Sequence, residues 1–343
     1  MTIPARSSAP GARPFTPAEE VLLARLEVLR VVLPVDPAAG MPELRAICST
    51  AAKQFGETAL VTLEAKYMVI YHEAKNHDAA TTAARFAELA ATCERCLGPE
   101  AYLTRRSALV RAQFVRKSGD PEGIRLYEEE LAHREQADGP SAWLSRLARL
   151  NLAVALRDRG ELNDLNRADQ IIERELTERA AEYGEEHPRT LVALANKALL
   201  LLALVDGGHL GGDAERALQL ATDVVRVRET VLGPLHESTL NGQMIRAHAL
   251  IALQRCDEAT WILLRVLADQ AAAGASDPGR AEELLARALA GTHRRSDLEQ
   301  ARQVAADATR LRSRQYGPDT PQVRRVEELE ASILTQLAAA SAR

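Results

Sequence analysis

Seven glycines, Gly56, Gly98, Gly139, Gly184, Gly233, Gly274 and Gly317, recur through the chain at intervals of 42, 41, 45, 49, 41 and 43 residues. Fourteen positions after each stands Ile70, Ala112, Ala153, Ala198, Ala247, Ala288 or Ala331, small in all but the first case. A period near 43 residues is the mark of stacked helical hairpins, in which each unit buries its apolar face only against its neighbours. The recurring alanine has a mechanical reason. Two helices approach closely only where one side chain at the crossing is no larger than a methyl group.

Composition agrees with helices rather than sheets. Hydrophobic residues make up 46% of the 343, yet aromatics only 3%, so the core must be tiled by Leu, Ala and Val. A sheet sandwich draws on more aromatic and β-branched residues. The formal charge of −5 describes an ordinary solvated surface, and nucleic acid is not an expected partner. The arginine run Arg294, Arg295, Arg302, Arg310, Arg312 and Arg314 is offset by Asp297, Glu299 and Asp307, carries no interleaved aromatic, and reads as a solvated helix face. No stretch approaches the ~20 apolar residues that span a bilayer. No apolar signal core is visible near Met1, so the expected location is the cytoplasm, without membrane contact. Four cysteines suit a reducing compartment. Cys93 and Cys96 form a C-x-x-C with no second pair or nearby histidine, which reads as two buried or half-buried thiols rather than a metal or redox site.

Residues 1–16, rich in Pro, Ala and Ser, are expected to form a mobile leader. Thr16-Pro17-Ala18-Glu19-Glu20 is a helix start, with a capping hydroxyl, a proline at the first helical position and acids in the first turn. The helix carries Val21, Leu22, Leu23, Leu26, Val28 and Leu29 and stops before Pro34; a second, from about Pro42 to Phe55, completes a hairpin over 17–55 that caps the array. Six units over 56–316 follow one plan, and a C-terminal helix from about Thr320 closes the chain over 317–343. In each unit the glycine ends the preceding helix, and helix A follows with the small residue. Turn signals at Asn76-His77-Asp78, Gly119-Asp120-Pro121, Gly160 or Cys256-Asp257 then lead into helix B. The segment Asp206 to Asp213 holds four glycines in eight residues. It forbids helix and is either a long turn or a loop able to fold over a partner.

Two units share G-x-x-H-x-x-T-L, as Gly184-Glu185-Glu186-His187-Pro188-Arg189-Thr190-Leu191 and Gly233-Pro234-Leu235-His236-Glu237-Ser238-Thr239-Leu240. Asn151-Leu152-Ala153, Asn196-Lys197-Ala198 and Asp257-Glu258-Ala259 recur later in their units. Over about residues 56–331 the chain resembles the long tetratricopeptide repeat of kinesin light chains and their bacterial relatives. The units at Gly56, Gly98 and Gly274 lack the complete motif, and the even spacing carries the resemblance; HEAT and armadillo arrays share a similar period. The resemblance implies an all-α, right-handed helical-hairpin solenoid whose concave face is lined by the A helices.

It further implies that the inward positions lie eight, eleven, twelve and fifteen residues after each glycine. These are Glu64, Tyr67, Met68 and Tyr71; Arg106, Leu109, Val110 and Gln113; Leu147, Leu150, Asn151 and Val154; Val192, Ala195, Asn196 and Leu199; Asn241, Met244, Ile245 and His248; and Glu282, Leu285, Ala286 and Leu289. Tyr67, Tyr71, Arg106, Gln113, Asn151, Asn196, Asn241 and His248 are the candidate ligand contacts. Amides offer a donor and an acceptor to a peptide backbone, and related arrays hold peptides with asparagines at the positions of Asn151 and Asn196. Equally, these two amides could simply bond neighbouring helices. Met68, Val110, Ile245 and Ala286 interrupt the ladder, which points to a short ligand near the third to fifth units. The Lys–Asn carboxylate clamp of some related arrays is replaced here by pairs such as Leu109/Gln113 and Ala195/Leu199.

His187 and His236 share an offset, but ligands of one metal must lie within about 4 Å of each other, and stacked helical layers stand roughly 8–10 Å apart. A turn-stabilising hydrogen bond is the expected role, with no metal or cofactor. Phosphate-loop, dinucleotide, zinc-protease and nucleophile-elbow motifs are absent. The expected function is a non-catalytic adaptor or sensor for a peptide or protein segment. Affinity would come from Leu147, Leu150, Val192 and Leu199, and register from Asn151, Asn196, Asn241 and Arg106. One alternative is an enzyme or biosynthetic helper using His248 and Glu282 as an acid–base pair. Another is a peptide-responsive regulator acting through a separate partner, since residues 17–55 supply no basic recognition helix.

Overall fold

The computed structural model describes residues 14–33, 36–273 and 279–341. The leader up to residue 13, Pro34 and Gly274 lie outside these. The described residues form fifteen α-helices and one short 3-10 turn, with no strand among them. The chain is an all-α solenoid of consecutive hairpins, divided into two compact units.

The first unit runs to Ala132 and takes in Gln315–Gly317. It contains α1 (Pro17–Val32), α2 (Pro37–Phe55), α3 (Leu60–Glu73), α4 (Ala79–Leu97), α5 (Tyr102–Lys117) and the start of α6 (Glu122–Asp138). Thr16 caps α1 reciprocally: its hydroxyl accepts from the Glu19 amide at 3.3 Å, and the Glu19 carboxylate accepts from the Thr16 amide at 2.8 Å. α2 begins earlier than the expected Pro42, because Asp36 accepts from the Ala39 amide at 3.0 Å and Pro37 fits the first turn. Leu22, Leu23, Leu26 and Leu29 of α1 are buried, but Val21, Val28 and Val31 are exposed, so the outer face of this terminal hairpin is partly apolar.

The second unit holds the end of α6, α7 (Trp143–Arg159), α8 (Leu162–Tyr183), α9 (Pro188–Asp206), α10 (Ala214–Leu232), α11 (Glu237–Ala252), α12 (Cys256–Ala273), α13 (Arg280–Gly291), most of α14 (Arg295–Tyr316) and α15 (Pro321–Ser341). Successive helices from α7 to α13 pack in order, and α7, α9, α11, α13 and α15 also touch one after the next. The A helices therefore form a layer of their own. α9 corrects one expectation. With 19 residues and a mean hydropathy of 1.6 it is long and apolar enough to cross a membrane, though half of it is buried inside the unit.

The glycine series is a backbone necessity. Gly56, Gly98, Gly184 and Gly233 sit at φ 89–90° and ψ 161–164°, a region open essentially to glycine alone. An added Cβ would meet nothing within 4 Å at any of them, so conformation and not space imposes the residue. The requirement is stricter than the left-handed cap expected from sequence, where asparagine would also serve. The glycine carbonyl has its own partner six residues on. Thr62, Thr104, Thr190 and Thr239 donate their hydroxyls to Gly56, Gly98, Gly184 and Gly233 at 2.8–2.9 Å. The threonine is thus present even in the units that lack the histidine.

Ala112, Ala153, Ala198, Ala247 and Ala288 are at most 1% exposed, as close crossings require; Ala331, on the last helix, is exposed and plays no such part. Five residues before four of the glycines stand Arg134, Arg179, Arg228 and Arg312, all buried. Arg179 and Arg228 donate to the carbonyls of Arg189 and Ser238 at 2.9 and 2.7 Å, each in the first turn of the next A helix. Sequence reading missed this series. Arg312 was assigned to a solvated face, whereas it is buried and pairs with Glu283 at 2.7 Å. The rest of that run does carry surface pairs, such as Arg294 with Asp297 and Arg295 with Glu299.

In unit 2 a fully buried carboxylate, Glu175, accepts from Arg149 at 2.6 Å and from Arg179 at 2.8 Å, with Arg146 at 3.6 Å. Arg149 also reaches Glu135 and the Pro140 carbonyl. In unit 1 the two cysteines of the C-x-x-C differ: Cys93 is a free buried thiol pushed up to about 12 by desolvation, whereas Cys96 is free and exposed, contrary to the expectation that both are buried or half-buried.

Candidate functional site

The eight candidate contacts divide between the units. In unit 1 the chain fills its own inward positions. Tyr67 is 2% exposed, stacks on Tyr71 with centroids 6.1 Å apart, and meets the ring of Phe86 edge-on at 5.5 Å. The Arg106 guanidinium lies 4.4 Å over the Tyr67 ring. Burial pushes the Tyr67 phenol up to about 12, against the opposing pull of Arg106. Met68 is buried, and Glu64 is buried in an ion pair with Arg30. Tyr67 is therefore a core residue, contrary to expectation; Arg106, half-buried over its ring, Tyr71, at 47% exposure, and the half-buried Gln113 remain at the surface. Aromatics are rare in this chain, and the three that gather here pack Tyr67 into the core.

In unit 2 the face is open. Leu147, Asn151 and Val154 on α7, and Val192, Asn196 and Leu199 on α9, follow an i, i+4, i+7 spacing that puts each trio on one helical face. Val192 is 41% exposed, and Leu147, Val154 and Leu199 are half-buried. Asn151 is half-buried and its amide bonds no other described residue. Leu150, in contrast, is 3% exposed and belongs to the core, which removes it from the contact set.

The other polar candidates are engaged. Asn196 donates to the Val192 carbonyl at 2.9 Å and accepts from Arg157 at 3.3 Å, so it ties α9 to α7. Asn241 accepts from Arg280 at 2.9 Å, linking α11 to α13, while its amide NH2 keeps its donors. His248 Nε2 lies 3.1 Å from Asp206 and not beside Glu282. Glu282 instead accepts from the Gly279 amide at 3.1 Å, capping α13. The acid–base pair expected of His248 and Glu282 does not form, because His248 turns to Asp206 one repeat earlier and Glu282 caps its own helix. Asp206 also has Arg287 at 3.7 Å; burial favours its neutral form, but the His248 bond and the positive charges of Arg287 and Arg325 hold its carboxyl below the usual range. Sequence reasoning missed Arg157, Arg280 and Asp206. The available signal was separation by about one repeat: 39 residues for the two Arg–Asn bonds and 42 for Asp206 and His248.

The repeated histidines act as helix caps. His187 and His236 accept through Nδ1 from the amides of Arg189 and Ser238 at 3.2 and 3.1 Å. Among the described residues no cluster of three or more His, Cys, Asp or Glu is placed to hold a metal ion. The glycine-rich insertion is a folded turn. His209 donates its amide to Leu204 at 2.9 Å, Gly208 to Val205 at 3.0 Å, and Asp213 caps α10 by accepting from Arg216 at 2.8 Å. Gly212 lies so close to Val205 that a Cβ would come within 2.7 Å of its amide nitrogen. Only Leu210, 99% exposed, projects from it.

These features define a class, the helical-hairpin repeat scaffold. No protein-family model matches the sequence, and no curated protein matches it. Among solved structures the chain is similar to the nearly identical TPR-like repeats of a protein described as a kinesin light chain from Podosopora anserina. It shares 23% identity over 61% of this chain and 94% of that one, with a TM-score of 0.42. A single-substitution variant of the same protein matches with the same identity and coverage and a TM-score of 0.43.

Proposed function

We propose that the chain is a non-catalytic scaffold that holds a short peptide or protein segment on the α7–α9 face of its second unit. One observation carries this reading: an unbonded amide, Asn151, shares a face of α7 with Leu147 and Val154, and the adjoining α9 carries Val192 and Leu199, all partly exposed. Covering Val192 and Leu199 contributes on the order of 1 kcal/mol each. Asn151 supplies a donor and an acceptor for one peptide group and so sets the register of the segment. Asn196 contributes indirectly, since its bonds to Val192 and Arg157 fix the wall of the face. Contacts spread over so few residues suit a ligand of a few residues rather than a long extended one.

The test is selection of a random peptide library on the immobilised protein, followed by affinity measurement of the selected peptides. The reading expects peptides whose affinity falls about tenfold or more with Val192→Glu and severalfold with Asn151→Ala, both with unchanged helical circular dichroism. Selected peptides indifferent to both substitutions would overturn it.

A further inference from the structure

The first helix departs from what a terminal hairpin needs. Such a hairpin covers the stack on one side and turns a polar face to water on the other. α1 instead carries Pro17, Val21, Ala24, Val28 and Val31 on the side away from its core, and all five are exposed. Val21, Val28 and Val31 leave 59, 62 and 73% of their surface uncovered.

The steps between these residues are four, three, four and three. Apolar side chains on that 3.5-residue beat are the a and d positions of a two-helix seam. In the same heptad lettering the buried residues Glu19, Leu22, Leu23, Leu26 and Leu29 fall at b, c and f. The seam therefore points directly away from the core that α1 shares with α2 and α3. A second helix can lie along it without disturbing that core.

The flanking charges say which helix fits. Val21 and Val28 hold the a positions, where β-branched residues favour parallel pairs. Glu20 stands at g and Arg25 at the following e, the two positions that meet across a parallel seam. Glu20 is exposed, and its carboxylate bonds no described residue. Arg25 gives Nε and Nη2 to Glu43 at 3.0 and 2.8 Å, and a guanidinium has further donors for a second carboxylate. In a two-fold pair the contact forms twice, Glu20 of each copy against Arg25 of the other. An antiparallel pair would set g against g and e against e, bringing Glu20 towards Glu27 and Arg25 towards Arg25.

We propose that the chain binds a second copy of itself through α1, as a parallel two-stranded seam with Val21 and Val28 at its centre and Glu20–Arg25 pairs on its flanks. With only 16 residues in α1, the contact is smaller than a standard interface, and the dimer forms at micromolar concentration. It involves unit 1 and stands or falls independently of the peptide reading on α7–α9.

Sedimentation equilibrium of the full chain from about 1 to 200 µM tests this. The wild type should show a reversible monomer–dimer equilibrium. Val28→Glu should raise the dimer Kd about tenfold or more, with unchanged helical circular dichroism. Glu20→Arg should raise it severalfold while leaving the Arg25–Glu43 bond in place. The double reversal Glu20→Arg with Arg25→Glu should return the Kd towards that of the wild type, which a folding defect could not do. A chain that stays monomeric throughout that range overturns the proposal. So does a dimer indifferent to Val28→Glu, which uses another face, or one that Glu20→Arg strengthens, which runs antiparallel. A double reversal that dimerises no better than Glu20→Arg alone overturns it as well.

Discussion

Eight and twelve residues after their glycines, the two units treat the A-helix face differently. In unit 1, Glu64 is buried in an ion pair with Arg30, Met68 and Val110 are buried, and Arg106 lies over Tyr67, which meets Phe86 edge-on. In unit 2 the matching places carry Leu147, Asn151, Val192 and Asn196, all partly exposed, while a charge cluster around Glu175 is buried within the unit. The difference teaches that a repeat register says where a face lies. Side-chain size and the reach of the neighbouring hairpin decide whether it is open.

The two interiors can be broken separately. Glu175→Gln should cost about 3–5 kcal/mol in urea denaturation, because Arg146, Arg149 and Arg179 stay buried with their shared carboxylate gone. Phe86→Ala in unit 1 should cost a similar ~3–5 kcal/mol, through a cavity between Tyr67 and Phe114. A small loss at Glu175 would mean that the charge cluster is spectator to the packing. Next in size, Gly56→Ala and Gly233→Ala should each cost about 1–3 kcal/mol, one per unit, from backbone strain alone. Equal costs in the two units would sharpen the claim that the glycine beat is common to both, whatever their faces do. Smaller still, Thr62→Val and Thr190→Val should each lose about 1 kcal/mol, with the bond to the glycine carbonyl.

The parts legible in the sequence are those fixed by local backbone chemistry. Only glycine can occupy the unit boundaries, so the period showed the hairpins, and Thr16 with Glu19 showed the start of α1 to the residue. His187 and His236 were legible as turn-stabilising because their bonds run two residues forward. What escaped depends on partners a repeat away. Asn196 carries the same motif as Asn151, yet Arg157 engages one and leaves the other alone. Tyr67 stood at an inward offset, and its burial depends on Phe86 from the following helix. The buried arginines before the glycines were hidden by the ordinary habit of arginine, which is to remain in water.

The proposed recognition face is the α7–α9 face of unit 2, not the A-helix face of unit 1. Fluorescence anisotropy of one selected, labelled peptide against the wild type, Val192→Glu and Tyr71→Glu tests it most directly, since Tyr71 is exposed at the matching face of unit 1. The account predicts about a tenfold or greater loss for Val192→Glu and wild-type affinity for Tyr71→Glu. The reverse pattern, or equal losses in both, would contradict it.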